Sequence, residues 1–223
     1  MQRLELYGDS ILKGVVYQSD VGRYRLCHSP RLTSLAEQGV TICNHSRMGA
    51  TIEKGVRTLE RRETCPEETL VLLEYGGNDC DFDWAAIAAD PTGSFQPHTP
   101  ETKFLDGYRN AVELARSQGA KVAMLSLIPI DAQKYFSWIS RNLNKENILR
   151  WLGDVSMLSR WQEHYNRLVE GLAKSLSCPL IDVRRDFLLS HQFDSLLCAD
   201  GIHPTPAGHD LIAGHIASYL QSA

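Results

Sequence analysis

Two apolar runs, Leu70-Val71-Leu72-Leu73 and Val122-Ala123-Met124-Leu125, contain no polar residue at any position. A strand of that kind is covered on both faces, as in the centre of a parallel sheet. Parallel neighbours need long crossovers, usually helical. Three further runs complete the set: Arg3 to Tyr7, Val40 to Asn44 and Pro179 to Val183; the central two extend over Leu70 to Tyr75 and Lys121 to Ile128. Helical stretches lie between them. Ser29-Pro30 opens one that runs to Glu37, with proline at the first helical position. Ile52 to Arg62 is amphipathic, Glu101 to Gln118 stops at Gly119, Ser156 to Ser175 is another helix, and Thr205-Pro206 starts the last, to about Leu220. The alternation predicts a three-layer α/β fold, a flavodoxin-like parallel five-stranded sheet with helices on both faces. With no repeat, linker or break in composition, the chain reads as one domain over 1–223.

Three segments interrupt the alternation. Lys13 to Cys27 suggests a small hairpin after the first strand. Cys80 to Lys103 is long and carries four prolines or glycines; Pro129 to Asp154 is long, with one short helix expected near Lys145 to Leu152. Connections of such length tend to serve function, and their aromatic content argues for order.

Net charge is −4, from 23 basic and 27 acidic residues. No basic cluster is interleaved with aromatics, which argues against a nucleic-acid partner. The pairs Arg61-Arg62 and Arg184-Arg185 read as solvated helix surface. No apolar run is long enough to span a membrane, and no signal-peptide core is visible. The six cysteines form no C-x-x-C pair and read as reduced thiols, in part buried. The expected compartment is the cytoplasm, and no metal or other cofactor is expected.

In open parallel sheets the ligand site lies beyond the carboxyl ends of the strands. The residues that follow the strands are Gly8-Asp9-Ser10, then His45-Ser46-Arg47-Met48-Gly49, then Gly76-Gly77-Asn78-Asp79; Asp200-Gly201-Ile202-His203-Pro204 precedes the last helix. A serine, a glycine, an amide and an Asp-x-x-His pair at one edge are the parts of an acyl-transfer site. Each alone has a plainer reading: Ser10 as a cap, Asn78 as a turn residue, Gly49 as a helix start, His203 as a loop histidine. All four at strand ends favour chemistry.

In this order the four blocks resemble those of the SGNH hydrolases, also called GDSL-type lipases and esterases. Ile11 stands where the family's name implies leucine. The resemblance implies Ser10 as nucleophile, His203 as its base and Asp200 as the residue that orients the imidazole. It also implies an oxyanion hole formed by the backbone N–H groups of Ser10 and Gly49 and the side-chain amide of Asn78. Glycine at 49 is expected because a side chain would block the approach. Asp9 and Asp79 are read as structural.

Other motifs fail. Ser10-Ile11-Leu12-Lys13 matches S-x-x-K, but S-D-N and K-T-G are absent. Leu12 stands where G-x-S-x-G needs glycine. Asp79 to Asp90 resembles a calcium loop, but Trp84 replaces its glycine and Asp90 its final glutamate, so the acidic stretch reads as solvated or lid-supporting. A non-catalytic flavodoxin-like binding module is the alternative, but no P-loop or G-x-G-x-x-G is found. The expected activity is hydrolysis of a small-molecule carboxyl ester, with thioesters and acetylated carbohydrates as alternative substrates.

Phe82, Trp84 and Phe95 lie in one long connection, and Tyr135, Phe136, Trp138 and Trp151 in the other. These rings either hold the loops as a satellite core or form a partly apolar wall, with Trp84 and Trp138 binding substrate. A wall of bulky rings predicts a restricted cleft and short acyl chains.

Overall fold

The computed structural model describes residues 2–64 and 68–222. The first half runs β1 (Arg3–Gly8), α1 (Ser10–Lys13), β2 (Val15–Gln18), β3 (Arg23–Leu26), α2 (Pro30–Glu37), β4 (Thr41–Asn44), α3 (Ile52–Leu59) and β5 (Thr69–Glu74). It continues with α4 (Trp84–Ala89), α5 (Glu101–Ser117), β6 (Lys121–Leu125), α6 (Ala132–Ser140), α7 (Lys145–Leu152) and α8 (Met157–Ser175). The chain ends with β7 (Leu180–Ile181), α9 (Arg184–Leu189), α10 (Phe193–Leu196) and α11 (Pro206–Ser222).

Five strands form one parallel sheet in the order β4-β1-β5-β6-β7. Its register pairs Arg3 with both Thr41 and Thr69, and Met124 with Leu180. The period-two geometry of a strand explains the unbroken apolar runs. Val71 and Leu73 face one layer, with Ile52 of α3, Phe104 and Tyr108 of α5, and Tyr165 of α8. Leu70 and Leu72 face the other, with Phe187 of α9 and Ile212 and Ile216 of α11. Every residue of β5 is buried. Truncating one of these leucines to alanine typically costs about 2–5 kcal/mol.

β2 and β3 form the expected antiparallel hairpin, pairing Val15 with Leu26 and Gln18 with Arg23. α2 and α7 occupy their expected ranges, whereas α4 and α6 are additional helices inside the two long connections. Each begins at a capping aspartate: Asp83 accepts from the Ala86 N–H, and Asp131 from those of Gln133 and Lys134.

The basic pairs depart from a solvated surface. Arg61 and Arg185 are exposed, but the side chain of Arg62 is 3% exposed and pairs with buried Glu5 at 2.7 Å. Arg184 is buried against Glu163 at 2.8 Å and donates to the Leu127 carbonyl and to Gln162. Both guanidiniums close gaps in the layers, and burial of a charge requires such partners. Cys27, Cys43, Cys80, Cys178 and Cys198 are free thiols; Cys65 lies outside the described residues. Among the described residues, no helix is long and apolar enough to cross a membrane.

Candidate active site

β1 delivers Ser10 to the carboxyl edge of the sheet. Gly8, its last residue, sits so close to β5 that a Cβ would lie 2.9 Å from the Glu74 carbonyl oxygen. Asp9 then caps α1, its carboxylate accepting from the Ile11 N–H at 2.8 Å. Ser10 is thereby the first residue of a helical turn, with its hydroxyl toward His203. The Oγ–Nε2 distance is 2.9 Å, and the opposite ring nitrogen, Nδ1, lies 2.7 Å from Asp200 Oδ2. All three side chains are buried.

The Asp-x-x-His spacing works because one tight loop carries both residues. Asp200 Oδ1 accepts the backbone N–H groups of Ile202 and His203 at 3.2 and 3.1 Å. A bridge between Leu197 and Pro204 closes the loop. Burial opposes ionisation of Asp200, but the hydrogen bond and charge of His203, with those two N–H groups, outweigh it and hold the carboxyl below its usual range. The carboxylate is thus fixed as an acceptor for Nδ1–H, which leaves Nε2 to take the proton of Ser10.

Gly49 adopts φ +68, and a Cβ there would meet nothing within 4 Å. The left-handed backbone gives a second reason for glycine here, beside the clearance expected for an approaching substrate. Asn78 Nδ2 donates to Asp9 Oδ2 at 2.9 Å and to the Ala50 carbonyl at 3.2 Å. Both amide protons have partners, so donation to an oxyanion means sharing one, and the longer bond to Ala50 is the weaker. Asp79 caps α3, accepting the Ile52 N–H at 3.0 Å, and burial pushes its carboxyl up to about 7.

Two participants escaped the sequence reading. Glu74 is buried beside Asp9, and its Oε2 has no conventional hydrogen-bond partner. Burial, then the Asp9 carboxylate, pushes Glu74 well above the ordinary carboxyl range. A protonated Glu74 that donates to Asp9 satisfies both groups. Near pH 4 an unfolded chain begins to release a proton that folded Glu74 retains, so stability falls as pH rises. Glu74→Gln keeps the donor and removes the titration. Between pH 5 and 8 its melting temperature should fall less than the parent's, by roughly 2–4 °C per kcal/mol of relieved penalty. Equal falls in both proteins would exclude Glu74 as a titrating group.

Tyr24, on the hairpin, is the second. Its ring lies over His203 with centroids 5.1 Å apart, and it lines the cavity beside Ser10. No local pattern marks it, because the contact joins positions far apart in the chain.

That cavity holds about 530 Å³ and is lined mainly by apolar side chains, including Phe82, Trp84, Phe95, Tyr135 and Trp151. The same rings, with Phe136, pack together as a third apolar cluster, so they serve as satellite core and as wall. Asp81 ties the two connections together, accepting from Tyr135 Oη at 2.7 Å and from Trp84 Nε1 at 2.8 Å. The acidic stretch therefore supports the roof; of its members Asp79 and Asp81 face inward and Asp83 caps α4. Trp138 is the exception among the rings. It lies outside the cavity lining, against Tyr17 at 4.7 Å and Tyr24 at 6.4 Å, beneath the Arg141 guanidinium at 3.8 Å. Trp138 thus packs against the hairpin that carries Tyr24, one layer behind that lining. The volume falls within the usual range for small-molecule sites, about 300–1,000 Å³. Among the described residues, no group of three or more His, Cys, Asp or Glu side chains is placed to hold a metal ion.

Residues 6–211 match the model of the GDSL-like lipase/acylhydrolase family. A curated relative, the GDSL esterase/lipase CPRD49 of Arabidopsis thaliana, is 23% identical over 164 residues. That match covers 73% of this chain but only 58% of the relative, so the chain spans little more than half of its length. Among solved structures, a lipase/acylhydrolase from Enterococcus faecalis superposes with a TM-score of 0.65 at 17% identity, covering 100% of this chain and 96% of that one. The acetyl xylan esterase AlAXEase gives a TM-score of 0.63 at 21% identity, covering 98% and 99%. At these identities the structural matches speak to the fold.

Proposed function

Since the chain belongs to the GDSL-like lipase/acylhydrolase family, we propose that it is a serine hydrolase that cleaves a carboxyl ester through an acyl-enzyme. The observation that carries this reading is the unbroken hydrogen-bond chain Ser10–His203–Asp200. Ser10 Oγ attacks the acyl carbon as His203 Nε2 takes its proton. The tetrahedral oxyanion is met by the N–H groups of Ser10 and Gly49 and by Asn78. Its collapse expels the alcohol, which receives the proton from His203; water then repeats the sequence and releases the acid. Asp200 holds the ring and stabilises its protonated form. A binding module would have no use for a buried serine aimed at an imidazole that is braced by a carboxylate.

The acyl chain enters the apolar cavity, which has room beyond an acetyl group and so favours chains longer than the shortest. The same reading treats residues 1–223 as one catalytic domain, supported by two apolar layers on a single sheet. It sets the work in the cytoplasm, supported by the free thiols.

A panel of esters from acetyl to dodecanoyl tests this. Cleavage should peak at intermediate length. Trp84→Ala should move the peak to longer chains, because the indole is part of the wall. Trp138→Ala should leave the peak in place and lower the rate at every length, since it loosens the hairpin behind His203. An acetyl optimum in the parent, or the same peak in the parent and Trp84→Ala, would refute the assignment of the acyl site.

A further inference from the structure

Two buried carboxyls, Asp9 and Glu74, line the cavity beside Ser10 and take no part in the steps of catalysis. Glu74 ends β5, and the register sets it opposite Gly8, which leads into Asp9 and Ser10. A Cβ on Gly8 would lie 3.0 Å from Glu74 Oε2, so glycine leaves the room that this carboxyl fills. Asp9 divides its two oxygens between two loops. Oδ1 accepts the Ile11 N–H at 2.8 Å, and Oδ2 accepts the side-chain amide of Asn78 at 2.9 Å. A Cβ on Gly77 would stand 3.3 Å from the same Oδ2, so the carboxylate lies directly under the loop that carries Asn78.

Their surroundings do not favour two charges. Burial raises both carboxyls. At Asp9 the Ile11 N–H, the charge of His203 and the hydrogen bonds of Glu74 and Asn78 work against it; at Glu74 the charge of Asp9 adds to it, and that of Asp79 does so as well. The other titratable groups that face the pair are the phenols of Tyr75 and of Tyr108 on α5, and the Cys80 thiol, all neutral and all pushed up by burial and then by nearby carboxylates. Of two carboxyls so placed, one keeps its proton. Among the described residues, Glu74 Oε2 has no hydrogen-bond donor, an arrangement that is costly for a carboxylate and suits the O–H of an acid.

We propose that Glu74 is a positioning residue for the oxyanion: its carboxylic acid donates to Asp9, and Asp9, held as an anion, keeps the Asn78 amide aimed at the substrate oxygen. The inference rests on the hydrolase reading above and adds the support of its oxyanion hole. A hydrogen bond to an anion is shorter and stronger than one between neutral groups, so Asp9 fixes the amide more firmly than a neutral acceptor would. Donors fixed in advance are what an oxyanion hole requires. Without the Glu74 donor Asp9 is free to turn, and the amide bonded to it loses its aim.

Glu74→Leu fills similar space without a donor, and Glu74→Gln keeps an N–H where the O–H stood. With an ester of intermediate acyl length, Glu74→Leu should lower kcat about tenfold, part of the roughly 10²–10³ carried by a whole oxyanion donor, with KM within about twofold. Glu74→Gln should bring kcat back to within about threefold of the parent. In an Asn78→Ala background, Glu74→Leu should cost less than about twofold more, because its effect runs through the amide; a residue that only supports the fold would give costs that add. Should Glu74→Leu not fold, Glu74→Met makes the same comparisons. The proton is read directly at about pH 8, where ordinary carboxyls are ionised. The infrared spectrum of the parent minus that of Glu74→Gln should contain the C=O band of a protonated carboxyl, since Asp79 is common to both and cancels. Additive costs, a loss that falls on KM with the parent's kcat, or a difference spectrum without the band overturns the proposal. Failure of the hydrolase reading would show differently: the parent itself turns over no ester and Ser10 resists a fluorophosphonate, whatever the infrared spectrum contains.

Discussion

Ser10→Ala is expected to lower kcat by about 10³ or more while the protein stays folded. Among the described residues, the only side-chain hydrogen bond of Ser10 is to His203, so its removal leaves α1, capped by Asp9, in place. His203 keeps Asp200 at 2.7 Å and the loop keeps its closing bridge. The residual rate would come from the oxyanion donors and from substrate positioning, which do not depend on the hydroxyl. Mass spectrometry of fluorophosphonate-treated parent protein should find the adduct on Ser10. An adduct on another serine, or a Ser10→Ala protein that retains the parent's rate, would remove Ser10 from the mechanism.

The second large effect is expected at Asn78. Loss of one oxyanion donor typically costs about 10²–10³ in kcat with little change in KM. Asn78→Ala should behave in that way, with a further cost in stability. The amide bonded to buried Asp9 disappears, and an unpaired buried acceptor costs about 1–3 kcal/mol. The melting temperature therefore needs to be read beside the rate. A variant that is folded at the assay temperature, with a raised KM and the parent's kcat, would make Asn78 a ground-state binding residue instead.

The two expectations draw on different kinds of information. Gly8-Asp9-Ser10 and Asp200-Gly201-Ile202-His203 are local: capping and a three-residue turn place each group within its own segment, so adjacent residues suffice to read them. The same holds for β5, whose six buried residues follow from a run that lacks a polar face, and for α7, whose capping Asn144 accepts the Asn147 N–H. Helix α6 has a comparable local signal in Asp131, which accepts the Gln133 and Lys134 N–H groups at its start.

Other features escaped because they depend on distance in the chain. Arg62 looks like surface until Glu5, 57 positions away, is seen beneath it. Trp138 belongs to the same group of rings as Trp84 by sequence, yet the hairpin rises between it and the cavity, and Tyr24 from that hairpin covers His203. Gly49 was legible as a glycine, but its left-handed backbone at φ +68 was not.

The sequence by itself determined the parallel sheet, the edge at which its loops gather, and the serine, amide and Asp–His pair carried there. Strand period, capping and short turns act over a few residues, and those rules are written in neighbouring side chains. Tertiary structure alone decided the shape of the apolar cavity, the burial of Glu74 beside Asp9 and the ring over His203. Each of these arises where separate segments exclude water together, and the free energy of burying a charge or a ring depends on partners that no single segment contains.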